Sequence, residues 1–338
     1  MANYEEPMQI SEFKDKKTGL IAFGIIQIIF GGFCALMTPF MILGMLVSTI
    51  SAKSPAPPMS ARMMVPAALL YALLAVWFIW MGIGSIKTRR WARAIILVSS
   101  WLWLICGINA LIVVSLFLPG MSDQIYRNAQ MPQAAVIIAK SVMIGFMAVF
   151  YVVIPAVFVL FYGNKNVKAT CEFRDPQVPW TDKCPLPVLA VSFIFATWAA
   201  SMLFMACYRW TIPFFGFIVS GLTGAAVVLF IMLLSAYAAW GTYKLNIKAW
   251  WCSLFLIIAL ALSTAITFSR VSIWDFYEKM NFPKEQMDMM KQSGMPNNST
   301  MVLSFGLWPL VFLGYLLYIR RYFVHPPTQE NLLQQTSI

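Results

Sequence analysis

Lys140 is the one cationic side chain inside a long apolar run of this sequence, and no Asp or Glu lies well inside any such run. Charge in hydrocarbon is costly and usually functional. Lys140 has two readings. It sits about seven positions from the nearer end of its run, roughly 10 Å of helix at about 1.5 Å per residue. A lysine stem spans much of that distance, so the ammonium can snorkel to the headgroups. The sharper reading is a lysine lining a solute cavity. Ser141 adjoins it, but neighbouring helix positions point about 100° apart, so a serine–lysine nucleophile pair is poorly placed.

Neutral polar groups come next. Gln27 and Asn109 lie within apolar runs, and each needs a hydrogen-bond partner there. Helix-to-helix contact is the expected role, and a polar ligand pocket the alternative. Pro155 and Pro309 each free a backbone carbonyl one turn earlier. They either bend their helices or open a central cavity. Lys140, Gln27, Asn109, Pro155 and Pro309 are therefore the candidate solute or helix-contact residues.

Most other chemistry lacks its parts. His325 is the only histidine, which argues against histidine-based metal, haem or triad sites. Paired acids for glycoside or two-metal chemistry exist only in loops. Cys171 and Cys184 share a polar segment, with no CxxC and no histidine nearby. No catalytic, cofactor-binding or metal residues are assigned. Arg90, Arg174 and Asp175 are able to gather at one membrane face, but their spacing selects no reaction.

The elements that would carry these residues are membrane spans. Of 338 residues 60% are hydrophobic and 11% charged, against about 25% charged in soluble domains. Mean hydropathy is +0.75. A span needs about 20 apolar residues. Eight runs qualify: Leu20 to about Met45 (with an apolar tail to Ile50), Val65 to Ile86, Ala92 to Leu118, Ala134 to Tyr162, Leu186 to Cys207, near Phe217 to Trp240, Ala249 to Phe268, and Met301 to Ile319. Thr38 to Ile50 and Thr211 to Ser220 are ambiguous, each an overlong extension or a re-entrant segment. The fold class expected is an all-α polytopic membrane protein of about eight transmembrane helices.

Basic residues orient it. With the N-terminus cytoplasmic, Lys14, Lys16, Lys17, Lys87, Arg89, Arg90, Arg93, Lys165, Lys168, Arg174, Lys183, Lys244, Lys248, Arg320 and Arg321 lie inside. Lys53, Arg62, Arg127, Arg209, Arg270, Lys279, Lys284 and Lys291 lie outside. The bias favours both termini in the cytoplasm, in a bacterial inner membrane. A net charge of +11 is explained by headgroups and topology, not by nucleic acid.

The halves repeat in order. Ile154-Pro155-Ala156-Val157-Phe158 parallels Trp308-Pro309-Leu310-Val311-Phe312, and Gly84-Ser85-Ile86-Lys87 parallels Gly241-Thr242-Tyr243-Lys244. Four spans per half make this a parallel duplication. The expected organisation is residues 1–17 as an N-terminal segment, 18–162 as the first half, 163–185 as a cytoplasmic linker, 186–320 as the second half with outer loop 269–300, and 321–338 as a tail.

Functionally, few polar groups and tight loops favour a non-catalytic scaffold, sensor or assembly factor. Its partners would be membrane lipid and a membrane protein or a second copy. The alternative is a small transporter for a neutral or weakly polar solute. Reporter fusions at Arg90 and at Met290 are expected to give signals from opposite sides of the membrane; the same side for both would break this topology.

Overall fold

The computed structural model describes residues 13–50, 61–128, 132–292 and 298–325. Residues 1–12 of the N-terminal segment, 293–297 of the outer loop and 326–338 of the tail lie outside that description. The first half contains α1 (Lys17–Ile50), α2 (Ala61–Ile86) and α3 (Arg90–Asn128). Its fourth rod is broken: α4 (Gln133–Ala148) runs through a π turn (Val149–Val153) into α5 (Ile154–Tyr162). The linker folds as α6 (Lys165–Arg174) and a 3-10 turn (Trp180–Lys183).

The second half contains α7 (Leu186–Ser201), which continues as a 3-10 segment (Met202–Tyr208) into β1 (Ile212–Phe214) and β2 (Phe217–Val219). Then follow α8 (Gly221–Tyr243), α9 (Ile247–Arg270), α10 (Ile273–Lys279), α11 (Lys284–Gln292), α12 (Asn298–Ile319) and α13 (Arg321–Val324). Among the described residues, seven helices are long and apolar enough to cross a membrane. They are apolar around their whole circumference, as helices facing lipid are. Phe33, Phe40, Leu160 and Phe230 all lie exposed on the outside.

The buried apolar residues form two clusters, the second of which also takes in Ala94 of α3. Leu20, Met81, Ile95, Phe158 and Tyr162 pack together in the first. Val188, Phe195, Val228, Trp250 and Leu316 pack in the second. In the first half α1 lies along α2 and α3 on α5; in the second, α7 lies along α8 and α9 on α12. Buried polar groups lock the pairs together. Ser85 Oγ donates to the Leu20 carbonyl at 2.8 Å and lies 2.6 Å from the Tyr162 hydroxyl. Trp250 Nε1 donates to the Leu316 carbonyl at 2.8 Å, and the Tyr315 hydroxyl to that of Pro187 at 2.9 Å.

The two central turns share one geometry. Thr88 N–H donates to the Ser85 carbonyl and Arg89 N–H to Gly84. Leu245 N–H donates to Thr242 and Asn246 N–H to Gly241 in the same way. This is a Schellman C-cap, with Thr88 and Leu245 in the left-handed region at φ 52° and 55°. A Cβ on Gly84 would come within 2.6 Å of the Ala92 Cβ, and one on Gly241 would overlap that of Ala249. Small residues there let each turn fold back tightly. The caps that start the next helix differ. Asn246 Oδ1 accepts from Lys248 N–H at 2.9 Å. In the first half Asp175, from the linker, accepts from Arg90 N–H at 3.2 Å.

The all-α expectation is corrected at Thr211 to Ser220. This stretch is an antiparallel β-hairpin, pairing Ile212 with Val219 and Phe214 with Phe217. The sixth span accordingly begins at Gly221 instead of near Phe217. Phe215 and Gly216 form its two-residue turn with φ of 40° and 96°, the twist that suits a tight hairpin. The tip leans on the C-terminal part of α9, from Ser263 to Arg270. Its free N–H groups are satisfied there: Phe215 donates to Ser263 Oγ at 3.0 Å and Gly216 to Thr267 Oγ1 at 2.9 Å.

Removing both acceptors in Ser263→Ala/Thr267→Val should strand two N–H groups, at about 1–3 kcal/mol each. Thermal unfolding in detergent checks this. Ser253→Ala, which deletes a hydroxyl bonded back to Ala249 of its own helix, is the control. Equal melting of the double variant and the control would contradict a hairpin held by α9.

Candidate functional site

A cavity of about 650 Å³ lies where α3 of the first half meets α7, α9 and α12 of the second. Its walls are single faces of helices. Ile194, Thr197, Trp198 and Ser201 contribute from α7, spaced as one helical stripe. Ile257, Leu260, Ala261, Thr264 and Ala265 do so from α9, and Leu102 and Cys106 from α3. Trp308, Pro309 and Phe312 of α12 complete it. The hollow forms because small α9 side chains, Ala261 and Ala265, face large rings held elsewhere. Phe195 fixes two of those rings, lying 6.1 Å from Trp198 and 5.8 Å from Phe312 between centroids.

The lining carries no ionisable side chain except the Cys106 thiol. Its hydroxyls already use their protons. Thr197 donates to the Phe193 and Ile194 carbonyls, Ser201 to Trp198 and Thr264 to Leu260. What remains for a ligand is apolar surface, the hydroxyl lone pairs and the indole N–H groups of Trp198 and Trp308. An apolar hollow of this kind holds water poorly and binds apolar molecules, and its volume suits a small ligand.

A second void of about 110 Å³ lies on the same α3/α7 seam. Ile95 and Val98 line it from α3, with Leu189, Ser192, Phe193 and Ala196 from α7 and Trp180 from the turn before α7. Just beyond Trp180 lies a charge network. Arg90 reaches Asp182 Oδ2 through Nη2 at 2.7 Å and Nε at 2.9 Å, and Glu172 at 3.8 Å. Arg89 pairs with Asp175 at 3.1 Å. Arg174 turns away to Asp15, whose carboxyl that guanidinium and the Lys17 N–H hold below its usual range. Burial raises the Glu172 carboxyl and lowers the Lys168 ammonium, with each charge partly offsetting the other's shift. Burial also pushes the Cys171 and Cys184 thiols up to about 12, so both are protonated and unreactive near neutral pH. They are free cysteines.

Of the residues singled out from sequence, only Pro309 lines the cavity. Gln27 is buried on α1, and its Oε1 has no hydrogen-bond partner. Asn109 is half-buried on α3 and Lys140 half-buried on α4. Arg90 and Asp175 do come together, as helix start and cap, while Arg174 does not join them. Sequence reading missed Thr197, Ser201, Thr264, Trp198 and Cys106. The signal was a stripe of small and hydroxyl residues on α7 and α9, which ordinary helix packing also produces.

Pro155 carries a consequence of its own. It has no N–H to offer the carbonyl of Tyr151, four residues earlier. The backbone widens there into the π turn, and the Tyr151 carbonyl points at Gly107 of α3, where a Cβ would overlap it. Gly107 is thus the residue that lets α3 approach the broken rod.

Among the described residues, no group of three or more His, Cys, Asp or Glu side chains is placed to hold a metal. No family model, curated protein or solved structure matches the chain.

Gly107→Ala is expected to destabilise by overpacking, about 1–3 kcal/mol. Pro155→Ala restores a donor for Tyr151 and should relieve part of that loss. A double-mutant cycle by thermal unfolding is expected to show coupling above about 0.5 kcal/mol; strict additivity would mean the two sites are independent.

Proposed function

We propose that this is a non-catalytic integral membrane carrier that takes a neutral, mostly apolar molecule into the cavity between its halves. The observation that carries the reading is the uncharged hollow bounded by α3, α7, α9 and α12. Its lining offers hydroxyl lone pairs and the indole N–H groups of Trp198 and Trp308 but no charge, which suits an apolar chain or ring bearing at most a hydroxyl. Carriage, more than scaffolding, is what a cavity at a joint between two helical units supports.

The same proposal includes eight crossings by a duplicated four-helix unit. α12 adds the eighth: its 22 residues extend about 33 Å at about 1.5 Å per residue. Support for duplication comes from the paired Schellman turns and the matching helix pairings. Both chain ends belong in the cytoplasm. The segments of the basic set meet at one end of the bundle, through Lys16 to Thr170, Arg90 to Asp182 and Arg320 over the Trp250 ring.

Cys106 reports on the cavity, because it is exposed and lines it. In liposomes, a variant retaining only this cysteine should react with N-ethylmaleimide at least threefold more slowly when dodecanol is present. Dodecanoate, an anion, should protect little. Ala261→Trp fills the hollow and should abolish protection. If dodecanol never slows the reaction, or slows it equally in Ala261→Trp, the carrier reading fails.

A further inference from the structure

The two voids lie end to end. Ile95, Val98, Leu102 and Cys106 form one stripe along α3, the first pair lining the small void and the second the large one. From Ile95 to Cys106 the stripe covers roughly 16 Å. Opposite them α7 presents Leu189 to Ser201 to the same two spaces. The large cavity touches exposed Cys106, Thr197, Ser201 and Ala265. The small one is roofed by Trp180.

That roof is held from both halves. The Trp180 carbonyl accepts from the Tyr243 hydroxyl of α8 at 3.0 Å, and the two rings meet at 6.2 Å. Two residues on, Asp182 is gripped by two nitrogens of Arg90 from α3. The Arg90 side chain is only 9% exposed, so the pair is shielded from solvent. Losing Asp182 would leave Arg90 only the more distant Glu172, at 3.8 Å, a larger disturbance than breaking a surface ion pair.

Resting on the carrier reading above, we propose that the α3/α7 seam is the solute passage and that the Arg90–Asp182 pair, by seating Trp180, is the gate at its basic end. The structure is then the state closed at that end. Release there requires Asp182 to leave Arg90, so that Trp180 swings off Ile95 and Val98. Phe193, which lines the small void and lies tilted against Trp77 of α2 at 5.4 Å between ring centroids, moves with the seam.

The test places a single cysteine at Val98 in the otherwise cysteine-free full chain in liposomes. A membrane-impermeant charged methanethiosulfonate is applied from the basic side. Labelling should be slow in this parent. Asp182→Asn should speed it at least tenfold, and the exchange Arg90→Asp/Asp182→Arg should return it to the slow rate. Should those variants fold poorly, Trp180→Ala removes the roof without touching the ion pair and should also give at least a tenfold gain. Fast labelling of the parent, or no gain in Asp182→Asn and Trp180→Ala, overturns the gate. Protection of Cys106 by dodecanol with no response at Val98 removes the gate and leaves the carrier reading; a response at Val98 without protection of Cys106 does the opposite.

Discussion

Lipid offers no hydrogen bonds, so every backbone group that leaves a helix inside this bundle must find a partner in the protein. That constraint accounts for the irregular parts better than any local propensity. The hairpin tip survives beside α9 because Ser263 and Thr267 accept from it. The turns after α2 and α8 close their loose carbonyls with Schellman bonds, even though that puts Thr88 and Leu245 in a region glycine prefers. Where α3 restarts, its N–H is met by Asp175 from a distant segment.

The long spans were legible because their signal is local: some 20 apolar residues announce themselves wherever they sit. The basic flanks were legible for the same reason, since Lys and Arg beside an apolar run are read directly from the sequence. The hairpin was half legible. Thr211 to Ser220 is apolar enough to extend a helix, and only the placement of Gly216 and the acceptors on α9 decides for a strand pair. The cavity was not legible. Thr197, Ser201 and Thr264 read as ordinary helix-packing residues, since their hydroxyls bond back to their own helices. What makes them a lining is the distance between helices far apart in sequence.

Arg89 and Arg90 show how charge can change meaning between sequence and fold. In the sequence they are part of a short basic loop, suited to headgroups. In the structure the linker brings Glu172, Asp175 and Asp182 to them. Three carboxylates from a segment that crosses no membrane therefore fasten the first half to the start of the second. Charges at the rim of a low-dielectric bundle interact more strongly than in water, which makes a short linker an effective clamp.

The clamp also explains why two similar halves need not behave alike. Under the proposed duplication, α9 supplies its own cap, Asn246, and so needs nothing from outside its half. α3 has Arg89 at the matching place, a donor that cannot cap an N-terminus, and borrows Asp175 instead. The borrowed acid comes with a whole segment, and that segment carries Trp180 and Asp182 onto the α3/α7 seam. The difference between Arg89 and Asn246 at these two helix starts goes with a linker fastened at the α3/α7 seam. A passage fastened on only one side of a pseudo-axis has a direction, and that is the asymmetry a carrier with one gate at its basic end would use.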